Sequence, residues 1–552
     1  MASRILFKRV HRLTQSARCR IQARSLQTVQ SGEDDFKGRL KSMLASDVEM
    51  YPVILRSDTY ARISEIRHKY DTVSAEQLAA QDSIVTTIRG RIHTIRAQGN
   101  RLLFIDVVQE DVKLQAVYRL NSIDGMNEQT FRESCQWLRR GDFISITGTL
   151  TRTRAGELSV RATTKLTLLA PCLHPIPFNL SNEQTLSHHR TVDLLIHKHA
   201  RDTIRARAFV LNHIRAFLTS RDFLEVHTPV LSDVAGGAAA RPFITHATAP
   251  GASASSAVPL ELRIAPELWL KRLIISGFDK VFEIGQVFRN EGIDATHNPE
   301  FTTCEFYQAF AGLDDLIDLT EELLSGLVQT AIANVPIIKQ NLESNALSFD
   351  KPFVKIDFIS TLQQKLGFDL PDYVLSSNEH DKVRAESYLT DLLTSSNIPL
   401  PKPATVSRLL DKLCDHFIGP ILDSATTPVF LMNFPEILSP LSKSAPPASG
   451  RSYRLARRFE LYVNGKELVN AYEEENSPFA QRRKFSLQAA DRVADAEIYA
   501  TDDGYLSSME WGLPPTGGWG IGIDRLVMLL TGAERISDVL SFGGIKGVIK
   551  QE

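Results

Sequence analysis

Cysteine is scarce and scattered. The 552-residue chain has five (Cys19, Cys135, Cys172, Cys304, Cys414) and no CxxC pair, which argues against both a disulfide framework and a structural zinc site. No apolar run approaches the roughly 20 residues that a membrane helix needs. The formal net charge is only −2, so nucleic acid is not attracted globally and any RNA binding must use local basic patches. No P-loop is present either. The one glycine-rich run, GGWGIG (517–522), has neither the lysine and hydroxyl of a P-loop nor the strand-first context of a dinucleotide fingerprint. Acids are missing from the first 32 positions, Glu33 being the first, although that stretch holds seven Arg or Lys.

What is there begins with that basic stretch. On a helical wheel Leu6, Val10, Leu13 and Ala17 share one face, with Arg4, Lys8 and Arg12 opposite. Arg-rich, acid-free and amphipathic is the composition of a mitochondrial transit peptide, assigned here to residues 1–32. A chain this long is too large for one ordinary core. Its 43% hydrophobic and 23% charged residues are those of a soluble globular protein. Residues 33–83 read as a polar, helical extension. From 84 to 170 short strands alternate (IVTTIRGRIHTIR, RLLFIDVVQ, VKLQAVYRL, then DFISITGTLTRTRAGELSVRATTKLTLL), with a helical piece, NEQTFRESCQWLRRG, after the third. Five strands with a helix after the third fit an oligonucleotide-binding (OB) barrel. Arg91, Arg96 and Arg101 lie on or between its first two strands, where single-stranded nucleic acid would bind. A proline-punctuated linker (171–190) leads to a larger region, 191–552, which carries a mostly helical insertion around 330–428.

The stretch from Val281 to Phe310, VFEIGQVFRNEGIDATHNPEFTTCEFYQAF, holds the most chemistry. It reads as strand, polar loop and strand. Arg289, Glu291, His297 and Asn298 cluster around the loop. In the second strand a period of two puts Phe301, Thr303, Glu305 and Tyr307 on one face, with Cys304 on the other. An aromatic ring, a carboxylate and a phenol beside an arginine suit a ligand that is flat, cationic and anionic in different parts. FELYVNGKELVNAYEEEN (459–476) is a hairpin with Asn464-Gly465 at a type I′ turn. Counting from that turn sets Tyr462 opposite Glu467 and Glu460 opposite Val469, so Glu460 and Glu467 share a face as diagonal neighbours. Two such carboxylates near phosphates would suit Mg2+. The same count puts Glu467 and Asn470 on opposite faces, unless a bulge intervenes. WGLPPTGGWGIGIDRLVMLL reads as a glycine-rich loop running into an apolar helix with Arg525 in its first turn.

Taken together these motifs resemble a class II lysyl-tRNA synthetase of the mitochondrial form. The helix-strand-proline unit ending at Pro229 resembles motif 1, FRNEGIDATHNPEFTTCEFY motif 2 and GIGIDRLVMLL motif 3. GGAAARPF, RIAPELWLKRL and THNPEFT mark the lysyl members. The resemblance covers roughly residues 85–545. It implies an α+β fold: an N-terminal OB barrel that binds the anticodon, then a catalytic domain built on an antiparallel sheet flanked by helices. It implies ATP and Mg2+, tRNA(Lys) and lysine as partners, a homodimer, no membrane association, and a place in the mitochondrial matrix. Lysine would be held by Gly237, Glu267, Glu305, Tyr307, Asn470 and Glu474. ATP would be held by Arg289, Glu291, His297, Asn298, Phe301, Glu460 and Arg525, with Arg289 and Arg525 as the catalytic pair and Glu460 and Glu467 on Mg2+. In the barrel Arg96 and Gln115 align with anticodon contacts, and Phe104 is the nearest candidate for a stacking aromatic. One departure stands out. Where the family has Thr or Ser before the lysine-binding glutamate and Leu-Asn-Asp after it, this chain reads Glu473, Glu474, Glu475, Asn476, Ser477.

Overall fold

The computed structural model of the chain describes residues 35–45, 48–80, 84–177, 189–238, 240–247, 258–492 and 502–543. The stretch read as a transit peptide lies outside them. The chain divides into two compact units, Met1–Ser181 and Asn182–Glu552.

In the first unit a long strand, Val85–Ala97, pairs at its start with Phe143–Arg152 and at its end with Leu102–Gln109. A bulge between Ile92 and Thr94 lets it serve both partners. With Val112–Arg119 and Leu158–Ala162 this closes a five-stranded barrel, to which the short strand Thr167–Ala170 adds an edge. Alternation fixes its faces. Leu103, Ile105, Val107, Leu114, Ala116 and Tyr118 are buried inside, the Leu, Ile and Val side chains each contributing about 1.5–3 kcal/mol if fully transferred from water. Helix Glu128–Gln136 closes one end. Asn127 caps it, its side-chain oxygen accepting the Thr130 N–H at 2.8 Å, and Phe131 stacks on Tyr118 at 5.2 Å. Ahead of the barrel, helices at 35–44, Ile63–Tyr70 and Ala75–Ala80 flank an irregular stretch, so the extension is less continuously helical than its composition implies.

The second unit is built on an eight-stranded sheet. Its middle is antiparallel, from Val429–Met432 through Arg458–Val463, Lys466–Glu473, Thr516–Gly522 and Glu300–Ala309 to Lys280–Phe288. A parallel strand stands at each edge, Val354–Asp357 and Leu224–Glu225. Helices Lys198–Thr219, Leu313–Asn334 and Ile523–Thr531 cover one face and bury Val210, Ile214, Leu324, Leu327 and Leu526 there. Cys304 and Phe306 point into that core, with Phe306 stacked on Trp519 at 4.9 Å. Strand parity therefore sends Phe301, Thr303, Glu305 and Tyr307 to the other face. The helices between Phe358 and Asp423 pack a core of their own around Leu389, Leu409 and Leu413.

Two sequence readings need correction. The glycine-rich run is not a loop: Thr516–Gly522 is a central strand, paired on both sides. Glycine weakens a strand and so reads as a loop, but here the missing side chains are the point. A Cβ on Gly518 would overlap Glu474 Oε1 and lie 2.7 Å from Tyr307 Cε1, and one on Gly520 would lie 3.3 Å from Glu305 Cγ. The second correction concerns the hairpin. Its turn is as expected, with φ +49° at Asn464 and +70° at Gly465. Tyr462 pairs with Glu467, but Glu460 pairs with Asn470 and not with Val469. Leu468 is the extra residue of a bulge, since Leu461 pairs with Val469 while Tyr462 pairs with Glu467. The bulge brings Glu460, Tyr462, Glu467 and Asn470 to a single face.

Candidate active site

Register now places the chemistry in rows across the open face. Glu305, Gly520, Asn470 and Glu460 are successive partners on four strands, and Tyr307, Gly518, Tyr472 and Arg458 form the adjacent row. Above them lies a cavity of about 800 Å³, well within the size of small-molecule sites. Gly237, Glu267, Arg289, Glu291, His297, Asn298, Phe301, Glu305, Tyr307, Glu460, Glu467, Asn470 and Arg525 all line it. Glu474 does not. It is 1% exposed and sits in the cavity floor, in the space left open by Gly518.

One end of the cavity is acidic. Helix Glu267–Ile275 starts after Pro266 and presents Glu267 and Lys271 one turn apart. Lys271, fully buried, donates to Glu267 Oε1 at 2.7 Å and to Glu474 Oε2 at 2.9 Å. Tyr472 donates to Glu267 Oε1 at 2.8 Å and Tyr307 to Glu305 Oε2 at 3.2 Å. Burial, then the nearby Glu267 charge, pushes the Glu305 carboxyl up to about 8 against the opposing Tyr307 hydrogen bond. Burial opposes the Lys271 charge too, but Glu267 and Glu474 outweigh it and hold the ammonium well above its usual range. Glu474 Oε1 has no hydrogen-bond partner, an unusual state for a buried carboxylate oxygen. The three consecutive acids part company. Glu473 faces away, accepting from Arg457 (2.8 Å) and from the Leu313 N–H (3.0 Å), and Glu475 pairs with Lys484 at 2.9 Å. Only Glu474 turns to the site.

The middle and far end suit an anionic, planar ligand. The Arg289 guanidinium lies 5.1 Å from the Phe301 ring centroid. Arg525 Nη2 is 3.0 Å from His297 Nε2, and His297 Nδ1 is 2.8 Å from Asp294 Oδ2, so the loop between strands Lys280–Phe288 and Glu300–Ala309 is tied to the start of helix Ile523–Thr531. Neighbouring Asp524 accepts from Arg207 and, at 2.7 Å, from the Thr302 N–H, joining three segments. Asn298 donates to the Glu300 carbonyl at 2.6 Å. Arg458 donates to Glu460 and, at 3.0 Å, to Asn470 Oδ1, and Tyr462 donates to Glu460 at 2.7 Å. Glu467 Oε2 lies 3.7 Å from Arg525 Nη1. Burial and then the Glu460 charge raise Glu467, against Arg525 and Arg458. That repulsion is what a divalent cation between the two carboxylates would relieve. Among the described residues no three or more His, Cys, Asp or Glu form a ready metal site, so Mg2+ here would take its remaining oxygens from phosphates and water.

Sequence reading missed Lys271, Arg458, Tyr462, Tyr472, Gly518 and Asp524. The Glu267–Lys271 spacing in RIAPELWLKRL was the one local signal for the first of them. In the barrel, Arg96 is exposed and its strand position is opposite Phe104. Phe104 and Gln115 lie on the outer face, since Leu103, Ile105, Leu114 and Ala116 fill the inner one. Gln115 is buried among its neighbours and accepts the Ser159 hydroxyl at 3.0 Å. Arg91 and Arg101 are used otherwise, Arg91 against the Phe143 ring at 4.2 Å and Arg101 in an ion pair with Glu128.

Comparison with known proteins gives the class first. Residues 182–546 match the model of class II tRNA synthetases (D, K and N), and residues 86–168 match that of the OB-fold nucleic acid binding domain. Full-length relatives narrow it. The chain is 40% identical to the mitochondrial lysine–tRNA ligase of Schizosaccharomyces pombe, over 93% of this chain and 94% of that one. It is 39% identical to a probable cytoplasmic lysine–tRNA ligase of Encephalitozoon cuniculi, over 94% and 98%. With the lysine–tRNA ligase of Streptococcus gordonii it shares 37%, over 89% and 93%. The chain belongs to the lysine–tRNA ligase family of the class II aminoacyl-tRNA synthetases.

Proposed function

We propose that the chain is the lysine–tRNA ligase of the mitochondrial matrix, a homodimer that uses ATP and Mg2+ to charge tRNA(Lys). The observation that carries the lysine reading is the unpartnered Glu474 Oε1 beside Glu305 and Tyr307. Buried acceptors of this kind call for an ammonium and reject shorter or neutral amino acids, which would leave them unpaired. Lysine would extend from Gly237 and Glu267 toward Glu305, Tyr307, Asn470 and Glu474, with its α-carboxylate near Arg289. The adenine of ATP would stack on Phe301, its phosphates meeting Arg289, Arg525, His297, Glu291 and Asn298. The lysine carboxylate then attacks the α-phosphorus in line and pyrophosphate leaves. The lysyl group then passes from the adenylate to a hydroxyl of the terminal ribose of tRNA, the acyl–phosphate bond breaking and AMP leaving. No protein nucleophile is required: Arg289 and Arg525 orient the phosphates and neutralise charge that builds on them. Mg2+ held by Glu460 and Glu467 would supply further neutralisation at the phosphates.

The matrix location rests on the acid-free basic residues 1–32 and on the resemblance to a mitochondrial relative. Exposed Leu224, Val230 and Leu231, around Pro229, offer an apolar surface for a second copy. Arg96, Phe104 and Gln115 would read the anticodon on the barrel, with 1–32, 33–83, 84–170, 171–190 and 191–552 as the working divisions of the chain. ATP–pyrophosphate exchange with each of the twenty amino acids tests the assignment. Exchange with lysine alone is expected; exchange with none refutes the enzyme, and exchange with a different amino acid refutes the substrate.

A further inference from the structure

The acidic end of the cavity already holds an ammonium, and it belongs to the protein. Lys271 is fully buried behind the floor, shared between Glu267 Oε1 and Glu474 Oε2. A buried lysine is costly unless paired, and a hydrocarbon side chain would pack the same space. Two carboxylates for one lysine is also an excess of acid, with a third carboxyl, Glu305, close by. From the neighbouring helix Asp503–Met509, the Tyr505 ring centroid lies 5.2 Å from Lys271 Nζ. Tyr307 and Tyr472 face the group from the sheet. Arg289 and Glu283 act on Glu305 from its far side.

We propose that Lys271 is a positioning residue for the substrate ammonium, a fixed counter-ion that sets how many positive charges the pocket accepts. This rests on the lysine reading above. Lys271 takes one oxygen from each of Glu267 and Glu474. Glu474 is thereby oriented, with Oε1 left over under Gly518, and Lys271 opposes the burial and the Glu267 charge that push its carboxyl up to about 8. The pocket then has Glu474 Oε1 and Glu305 to offer, and a single incoming ammonium satisfies both. Without Lys271, Glu267 and Glu474 face each other in a dry site with nothing to offset their repulsion, and the proton on Glu474 is held more tightly still. The substrate ammonium displaces the protons of Glu474 and Glu305 in either protein, but without Lys271 the first would cost more to expel, so lysine use would become more steeply pH-dependent.

Lys271→Gln and Lys271→Arg, made in the full chain, test this by the pH profile of ATP–pyrophosphate exchange. For Lys271→Gln the acid limb of kcat/KM for lysine is expected to move up by about one pH unit, with about a tenfold loss near neutrality that shrinks at higher pH. The KM for ATP stays within about twofold, the remote carboxylates being far from the phosphates. Lys271→Arg, which keeps the charge, is expected to keep the wild-type limb even if its broader fork raises the lysine KM. The proposal is overturned if Lys271→Gln depresses lysine and ATP use equally at every pH, or leaves lysine use unchanged. Should Lys271→Gln not melt cooperatively, the arginine variant decides: a wild-type limb supports the proposal and a displaced limb refutes it. Wild-type protein that exchanges with no lysine would instead refute the ligase reading itself, a separate outcome.

Discussion

The carboxylate of Glu474 occupies the room that a side chain on Gly518 would need. Oε1 sits where the Cβ would be, and Tyr307 closes the gap at 2.7 Å from the same point. The glycine and the acid are a matched pair, Glu474 standing just past the end of the strand Lys466–Glu473 that neighbours Gly518. Gly518→Ala is therefore expected to fold but to push Glu474 and Tyr307 out of place. Lysine kcat/KM in exchange should fall about a hundredfold, equivalent to ~2.7 kcal/mol of transition-state stabilisation, while the ATP KM holds. Equal damage to both substrates would mean that the strand itself had moved.

Proton linkage follows from Glu305. In the empty protein its carboxyl is raised to about 8, against roughly 4.3 in an unfolded chain. A carboxyl raised in this way favours the folded state fully below the unfolded value, and that contribution is lost as pH climbs through about 8. Thermal melts of the ligand-free protein should thus decline from about pH 5 to pH 8. Lysine binding needs the ionised form, so it should release protons at pH 7 and tighten toward pH 8. Calorimetry in two buffers of different ionisation enthalpy counts those protons; none released would place the carboxylate outside the ammonium site. Glu305→Gln should weaken lysine use and leave ATP binding nearly intact.

Glu467→Gln isolates the cation. Removing one of the two facing carboxylates relieves their repulsion, so the fold should be no less stable. The Mg2+ concentration for half-maximal exchange should rise by at least about tenfold, the loss that follows even when only a group supporting a metal ligand is removed. An unchanged Mg2+ requirement would assign the hairpin carboxylates to structure alone.

Phe104→Ala addresses the barrel. Phe104 is half-buried on the outer face, its strand position opposite Arg96. Loss of a stacked base is expected to weaken tRNA by about 1–3 kcal/mol, read as a higher tRNA KM in aminoacylation. Exchange, which needs no tRNA, should be untouched.

The sequence made legible what depends on short-range periodicity. Phe301, Glu305 and Tyr307 could be set on one face by alternation alone, with Cys304 behind them, and Asn464-Gly465 announced its turn. What stayed hidden depends on neighbours distant in sequence. Gly518 and Gly520 read as a loop because the reasons for their smallness, Glu474, Tyr307 and Glu305, lie on other strands. Lys271 drew no reading, since nothing local says that Glu474, 203 residues away, completes its cage. Asp524 likewise gains its meaning only from Arg207 and Thr302. The roles given to Gly237, Asn470 and the ATP-facing residues came from resemblance, and their gathering around one cavity is what folding adds.

The bulge at Leu468 acts as a phase shifter in the hairpin. Residues on the turn side and residues beyond it count from different origins, so Glu467 and Asn470 face the same way although an odd number of steps separates them. Between Glu467 and Asn470 the bulge thus places two consecutive side chains, Leu468 and Val469, in the core. Deleting Leu468 alone would make the pairing regular, Tyr462 with Glu467, Leu461 with Val469 and Glu460 with Asn470, and would keep Glu467 and Asn470 on one face; what the strand would lose is the buried Leu468 side chain in the core.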